Sequence, residues 1–441
     1  MFTTLKNAFK IKEIRLKLLF TLVILVVVRF GSQLPVPGVD IEQFRAWFAS
    51  KIGDADASGF LSAFTGGSFE NMSILALNIT PYITSSIIMQ LLTIAIPKLE
   101  EMQKDGEDGR KKIASITRYV TVGLALIEST AMAIGFSNSG MLTEKNFFNI
   151  LTVVCTLTAG SAFLMWCGEQ ITEHGVGNGI SIVLVINIIS RVPADIATLF
   201  EQFVLVEGKP IAVKIVAALI IIAIIVAIVV MVIILSDGVR KIPVQYAKKM
   251  QGRKMVGGNT SAIPLKVNTS GVIPVIFASS LMQLPVVICN FFNVHAQGVW
   301  AHVLRGLSSS NWVDPANPVY SIGLVVYIVL VLFFAYLYTS ITFNPIEVAD
   351  NMKKSGGFIP GIRPGKPTSD YLSKVLNYIV FIGAVGLTIV CIIPFVFNGL
   401  FGASVSFGGT SLIIIVSVIL ETIKQVESQM LVRNYKGFLD S

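Results

Sequence analysis

One uninterrupted apolar stretch constrains the fold of this chain more than any other feature. Residues 215–235 are 21 consecutive apolar residues without a charge or a proline. At about 1.5 Å per residue, a helix of that length spans roughly 30 Å, the thickness of the hydrocarbon core of a bilayer. A buried helix of a soluble protein is the alternative, but similar runs recur along the whole chain, and this favours a membrane protein.

The composition agrees with a membrane protein. Charged residues make up 14% of the 441 residues and the mean hydropathy is +0.75, whereas a soluble chain carries about 25% charged residues. We predict an all-α polytopic membrane protein with ten transmembrane helices. The predicted spans are residues 17–36, 71–96, 117–137, 149–168, 180–198, 211–236, 269–292, 318–342, 374–397 and 408–426.

Positive charges indicate the orientation, because most of the 34 lysines and arginines fall in segments that are cytoplasmic if the N-terminus is cytoplasmic. By the positive-inside rule, both termini are expected in the cytoplasm. The predicted parts are a cytoplasmic amphipathic helix or solvated leader (1–16), an N-terminal half with spans one to five (17–198), an external linker (199–210), a C-terminal half with spans six to ten (211–426), cytoplasmic loops at 237–268 and 343–373, and a cytoplasmic tail (427–441).

Spans two and seven share a motif and stand second in their halves. The pattern P-x-I-x-x-S-x-x-M-Q-L begins at Pro81 and again at Pro274. Chance is the alternative, since apolar spans draw on few residue types. Five spans per half would place the halves in opposite orientations, as in the inverted repeats of transport proteins. We expect each proline to permit a kink, and the polar residues of both spans to face protein or water.

Several stretches, in order along nearly the whole chain, are similar to the SecY/Sec61α family of protein-translocation channels. They are residues 29–38 (RFGSQLPVPG), 78–87 (NITPYITSSI), 168–181 (GEQITEHGVGNGIS), 265–274 (LKVNTSGVIP), 344–365 and 407–411 (FGGTS). The resemblance implies two inverted five-helix halves around an hourglass pore, which passes unfolded secretory polypeptides and releases transmembrane segments sideways into lipid.

The resemblance also implies a ring of aliphatic side chains at the waist of the pore and a plug near residues 57–70. Without the family, lipid contact would explain any single ring residue, and an interfacial loop would explain the plug segment. The ring residues are Ile79, Ile83, Leu184, Ile188, Ile276 and Ile414. The plug residues are Phe60, Leu61 and Phe64.

A lateral gate is implied between spans two and three on one side and spans seven and eight on the other. Gln90, Glu128 and Asn268 fall where the family places polar residues at this gate. Glu128 departs from the family pattern, which has an uncharged residue there. Because an isolated buried carboxylate is costly, we expect Glu128 to hydrogen-bond Gln90 or Asn268 and to tune opening.

The two long cytoplasmic loops are basic, and the resemblance implies that they dock the SecA ATPase and the ribosome. Basic side chains suit acidic protein surfaces and RNA phosphates alike. The candidate docking residues are Arg240, Lys248, Lys249, Arg253, Lys254 and Arg363. The family further implies the partners SecE and SecG, preproteins with signal sequences and membrane lipids, with SecDF and YidC as accessory proteins, in the plasma (inner) membrane of a bacterium.

Two other functions were weighed. An ion-coupled transporter would require carboxylates at mid-membrane, and apart from Glu128 and Arg29 the predicted spans are nearly free of charge. An enzyme is not favoured, because the sequence has no Walker A, HExxH or GxSxG motif. The four cysteines have no paired spacing and the three histidines are scattered, so neither a metal site nor a cofactor is expected.

Overall fold

A computed structural model describes residues 9–51, 65–205, 210–246, 249–251, 254–256, 260–291, 298–308, 312–313, 318–401 and 409–436. The described part is mostly helical. In the N-terminal half the helices are α1 (Lys12–Gly31), α2 (Ile41–Lys51), α3 (Thr80–Ala95), α4 (Pro97–Lys104), α5 (Glu107–Asn138), α6 (Phe147–His174) and α7 (Gly179–Phe203).

The C-terminal half contains further long helices and the strands. Its helices are α8 (Ile211–Asp237), α9 (Ile273–Phe291), α10 (Val299–Leu307), a 3₁₀ turn (Pro318–Ser321), α11 (Ile322–Thr342), α12 (Pro345–Lys354), α13 (Lys366–Phe401) and α14 (Gly409–Lys436). The strands are β1 (Val239–Tyr246), β2 (Lys249–Gln251), β3 (Lys254–Val256), β4 (Thr260–Lys266) and β5 (Gly357–Phe358).

Apolar length separates the helices that can cross a bilayer from the others. Within the described residues, six helices are long and apolar enough to do so. The count is seven if α3 and α4 form one span, since they bend by 107° at a short break. The chain is therefore a multi-pass membrane protein. Each of the ten predicted spans overlaps a helix, but the count of ten crossings remains a prediction.

Several predicted boundaries differ from the structure. Span two was expected from residue 71, but α3 begins only at Thr80, because residues 65–79 run through a series of turns. Helix α1 begins at Lys12, inside the predicted surface helix, and α7 continues to Phe203, inside the predicted linker. Helix α14 runs to Lys436, into the predicted tail. Apolar periodicity marks the middle of a helix better than its ends.

The all-α prediction is wrong in the cytoplasmic loops, where strands form. Strand β1 pairs antiparallel with β4 of the same loop and with β5 of the next loop, in the order β4-β1-β5. Ile242 and Val244 alternate with exposed residues along β1 and are buried. They pack with Leu265, Ile359 and the start of α13, so one small core joins the two loops.

Each half has its own core, and a third core lies between the halves. In the N-terminal half, Phe44 and Phe136 meet edge to face at 5.5 Å within a buried cluster. In the C-terminal half, Trp312 packs against Tyr327 and Phe395 at 5.3 and 4.9 Å. The halves contact each other where α7 meets α8 and α14, and where α5 meets α9.

Candidate functional site

The two copies of the sequence motif begin with matching turns. Asn78 and Gly271 stand three residues before the motif prolines, and both have a left-handed backbone, with φ of +53° and +64°. One residue later, the carbonyls of Ile79 and Val272 each accept two backbone N–H groups of the helix that follows. Helices α3 and α9 therefore start in the same way.

The kinks expected at Pro81 and Pro274 are not observed, because each proline is the second residue of its helix. At that position a helix leaves the backbone N–H unpaired, so proline loses nothing and its fixed φ favours the helical start. The motif marks where two helices begin.

All six predicted ring residues lie in one apolar cluster to which both halves contribute. Four of them are buried, whereas Ile83 of α3 and Ile276 of α9 are half-buried. The members are Ile79, Ile83, Leu184, Ile188, Ile276 and Ile414. Val28 of α1 and Leu164 of α6 complete the cluster on the N-terminal side.

Val272 also packs on this cluster, and the sequence interpretation missed it. Val272 occupies the motif position of Ile79, two residues before the proline. Extending the repeat two residues upstream would therefore have found it.

Residues 65–79 carry polar contacts at the end of the helices that was predicted to be external. Nδ2 of Asn187, on α7, donates to Oδ1 of Asn78 at 2.9 Å, and both side chains are buried. Nη1 of Arg29, on α1, lies 3.4 Å from both Oδ1 of Asn187 and the carbonyl oxygen of Gly66. The hydroxyl of Ser161, on α6, donates to the carbonyl of Asn78 at 3.2 Å. These contacts were not predicted.

An ion pair fastens the same segment further along α7. The two terminal nitrogens of Arg191 bind the two carboxylate oxygens of Glu70 at 2.5 and 2.7 Å. Asp195, one turn later, lies 3.7 Å from Nε of Arg191. A two-pronged, partly buried arginine–carboxylate pair is among the stronger polar contacts in proteins. The predicted plug residues Phe60, Leu61 and Phe64 lie outside the described residues.

The predicted gate residues lie on elements that approach one another, since α5 contacts both α3 and α9. Glu128 and Gln90 are half-buried and Asn268 is buried. In the described part of the chain, no hydrogen bond joins Glu128 to Gln90 or Asn268, and Oδ1 of Asn268 has no hydrogen-bond partner. The expected hydrogen bond of Glu128 is therefore not present in this conformation.

Two of the candidate docking residues have described side chains. Arg240 lies on β1 opposite Leu265, and Arg363 follows the turn at Ile359; both are exposed. The backbones of Lys249 and Lys254 form β2 and β3, but their side chains lie outside the described residues, as do Lys248 and Arg253 entirely.

Comparison with known proteins decides the family. A model of the SecY family matches residues 73–423. The chain is 43% identical to the protein translocase subunit SecY of Streptomyces scabiei and 42% identical to that of Bacillus subtilis, over all of this chain and all of each relative. The chain belongs to the SecY family.

Solved structures agree with the fold of the SecY family. The chain matches a protein-conducting channel with a TM-score of 0.60 at 18% identity, over 95% of this chain and 93% of that one. It also matches Sec61 of the canine ribosome–channel complex with a TM-score of 0.58 at 17% identity, over 95% and 93% of the two chains. The aliphatic cluster between the halves therefore lies in a fold shared with channels.

Proposed function

We propose that this chain is the pore-forming subunit through which unfolded secretory polypeptides cross the plasma membrane. As a member of the SecY family, the chain is a channel subunit for protein transport and not an enzyme. The observation that carries the proposal is the aliphatic cluster. Six side chains from four separate sequence stretches meet in it, and both halves of the chain contribute.

We propose that the six aliphatic side chains form the ring at the waist of the passage. A channel for many sequences gains from weak, non-directional contacts, because a specific polar site would bind one sequence and reject others. When no polypeptide is present, an apolar constriction is poorly wetted and opposes ion leakage. Val272 belongs to the same ring, because it occupies the motif position of Ile79 and packs on the same cluster.

The proposed architecture is ten transmembrane helices in two inverted halves around an hourglass pore, with both termini cytoplasmic. The matching turns before α3 and α9 support the repeat, since equivalent φ angles and capping carbonyls are shared by backbones of common design. The distribution of positive charge supports the orientation. The proposed domain boundaries are those predicted from the sequence, moved to the helix ends described above.

The proposed lateral gate opens between α3 and α5 on one side and α9 and α11 on the other. The contact between α5 and α9 supports it, and Gln90, Glu128 and Asn268 are its proposed polar residues. Transmembrane segments would leave sideways into lipid there. The plug is proposed at residues 57–70; its residues up to 64 lie outside the described part of the chain.

The proposed docking surface for SecA and the ribosome is the pair of cytoplasmic loops joined by β1 and β5. The exposed positions of Arg240 and Arg363 support it, and Lys248, Lys249, Arg253 and Lys254 are proposed to extend it. SecE and SecG complete the proposed complex; SecDF and YidC are proposed accessory partners.

Site-specific crosslinking tests the ring. A photoreactive residue at Ile83 or Ile276 should crosslink to a polypeptide stalled during translocation. Matched controls on the same helices are Ile94 and Leu281, whose side chains are 54% exposed in both cases, and these should crosslink to lipid instead. Crosslinks from Ile83 and Ile276 to lipid or to neighbouring helices alone would refute the ring.

A further inference from the structure

The turn before α3 contains a residue that its backbone does not favour. Asn78 has a φ of +53°, a left-handed conformation that costs most residues energy and that glycine adopts freely. The equivalent turn before α9 has Gly271. Asparagine tolerates this conformation better than most residues, but it adds only a side-chain amide, so the use of Asn78 is explained by what that amide binds.

The amide of Asn78 connects the turn to two other helices. Its Oδ1 accepts from Nδ2 of Asn187 at 2.9 Å, and Oδ1 of Asn187 lies 3.4 Å from Nη1 of Arg29. Asn78 and Asn187 are 1% and 2% exposed, so each would leave a buried polar group unpaired if the other were removed. The contacts thus run from α1 through α7 to the start of α3.

The backbone of residues 65–79 lies too close to the neighbouring helices to move independently of these contacts. A Cβ added to Gly66 would come within 2.5 Å of the carbonyl oxygen of Asn187, and one added to Gly160 of α6 within 1.9 Å of that of Ile74. Glu70 and Arg191 hold the same segment to α7 by their two-pronged ion pair.

We propose that Arg29, Asn78 and Asn187, supported by the Glu70–Arg191 pair, form a latch that sets how readily the channel opens. Ile79 follows Asn78 directly and Ile83 lies one turn later, so the ring cannot widen at α3 unless the turn moves. Movement of the turn breaks the latch. A signal sequence must supply the difference, so the latch determines how strong a signal the channel requires. This inference rests on the proposed ring.

The C-terminal half lacks an equivalent latch in its described residues. A Cβ at Gly271 would meet no atom within 4 Å, and Oδ1 of Asn268 is buried without a partner. The two turns share a backbone and differ in their side-chain contacts, and this difference provides a matched experiment.

Asn78→Gly tests the latch, with Gly271→Asn as its control. Asn78→Gly keeps the left-handed turn and removes only the amide contacts, and Gly271→Asn places an asparagine where the structure has space. In proteoliposomes containing the assembled channel, Asn78→Gly should raise ion leakage roughly tenfold, since one buried hydrogen bond corresponds to about that factor. It should also permit transport of a precursor with a weakened signal sequence. Gly271→Asn should change neither; equal effects of the two variants would refute the latch.

A charge exchange tests the ion pair separately. Glu70→Arg or Arg191→Glu alone should raise leakage, and the double exchange should lower it again because the pair is restored. The control is the same exchange at Arg118 and Glu169, a 2.6 Å pair between α5 and α6, which should leave leakage unchanged. No rescue by the double exchange would remove the pair from the latch.

The ring and the latch can fail independently. If Ile83 crosslinks to the translocating chain while Asn78→Gly behaves like wild type, the latch is wrong and the ring stands. If Asn78→Gly raises leakage while Ile83 contacts lipid alone, the turn controls permeation and the ring is assigned to the wrong residues.

Discussion

The turns that lead into α3 and α9 have the same backbone but different surroundings. The turn at Asn78 is tied to α1, α6 and α7 by side-chain hydrogen bonds and by close backbone packing. The turn at Gly271 has open space at the equivalent Cβ position. A repeated backbone therefore does not imply repeated mechanics: the N-terminal half holds its ring residues in place, and the C-terminal half leaves its own freer to move.

The largest effect is expected from Asn187→Leu, which removes the central residue of the latch. Leucine has a similar size but leaves Asn78 and Arg29 without their shared partner, and each unpaired buried group costs about 1–3 kcal/mol. Leakage through reconstituted channels should rise roughly a hundredfold. Asn377→Leu, at an exposed position of α13, is the control. Leakage at the wild-type level in Asn187→Leu would show that the two turns do not differ in function.

A smaller contrast is expected between Ile79→Ala and Val272→Ala, the paired motif positions. Ile79 is fully buried, and its truncation should cost about 3 kcal/mol of unfolding free energy, whereas half-buried Val272 loses fewer contacts and should cost about 1 kcal/mol. Unfolding of the purified protein in mixed micelles would measure both values. Equal costs would mean that the half-buried state of Val272 does not reflect looser packing.

Gly66→Ala and Gly271→Ala form a third pair, because both glycines have a left-handed backbone with φ near +60°. Alanine costs about 1 kcal/mol at either site from the backbone alone. At Gly66 its methyl group would also meet the backbone of Asn187 at 2.5 Å, which should push residues 65–79 away from α7. Gly66→Ala should therefore leak more in the same reconstituted assay. The comparison would fail if Gly271→Ala leaked as much.

The smallest effect is expected for Lys424→Ala. Lys424 pairs with Asp237 at 2.5 Å between α14 and α8, but the two side chains are 50% and 48% exposed, and such pairs contribute about 0–1 kcal/mol. Arg191→Ala removes a partly buried pair from the latch and should lower the melting temperature further. Thermal melting of both variants by tryptophan fluorescence would show whether burial ranks the two ion pairs correctly.

The sequence predicted the parts of this molecule that depend on local pattern. Apolar runs located the long helices, and the motif at Pro81 and Pro274 found two matching helix starts. The family resemblance named six ring residues that the structure brings into one cluster. Span two was wrong in its first nine residues, since turns held together by tertiary contacts look apolar enough to be a helix.

The latch could not be predicted, because its residues are far apart in the sequence. Arg29, Asn78 and Asn187 come from three different predicted spans, and each alone reads as a single polar residue in an apolar helix. Only the packing of α1, α3 and α7 brings them together. The strands of the cytoplasmic loops were missed for a similar reason, since β1 finds part of its pairing in β5, in the other loop.

That pairing has a mechanical consequence for the cytoplasmic face. Gln245 and Tyr246 are bonded to Phe358 and Gly357, so the loop that follows α8 and the loop that precedes α13 cannot slide past each other unless the pairing breaks. A partner that pulls on either loop pulls on both, and its force reaches α8 and α13 together. The two loops then act as one handle, by which a motor outside the membrane could tilt the C-terminal half as a unit.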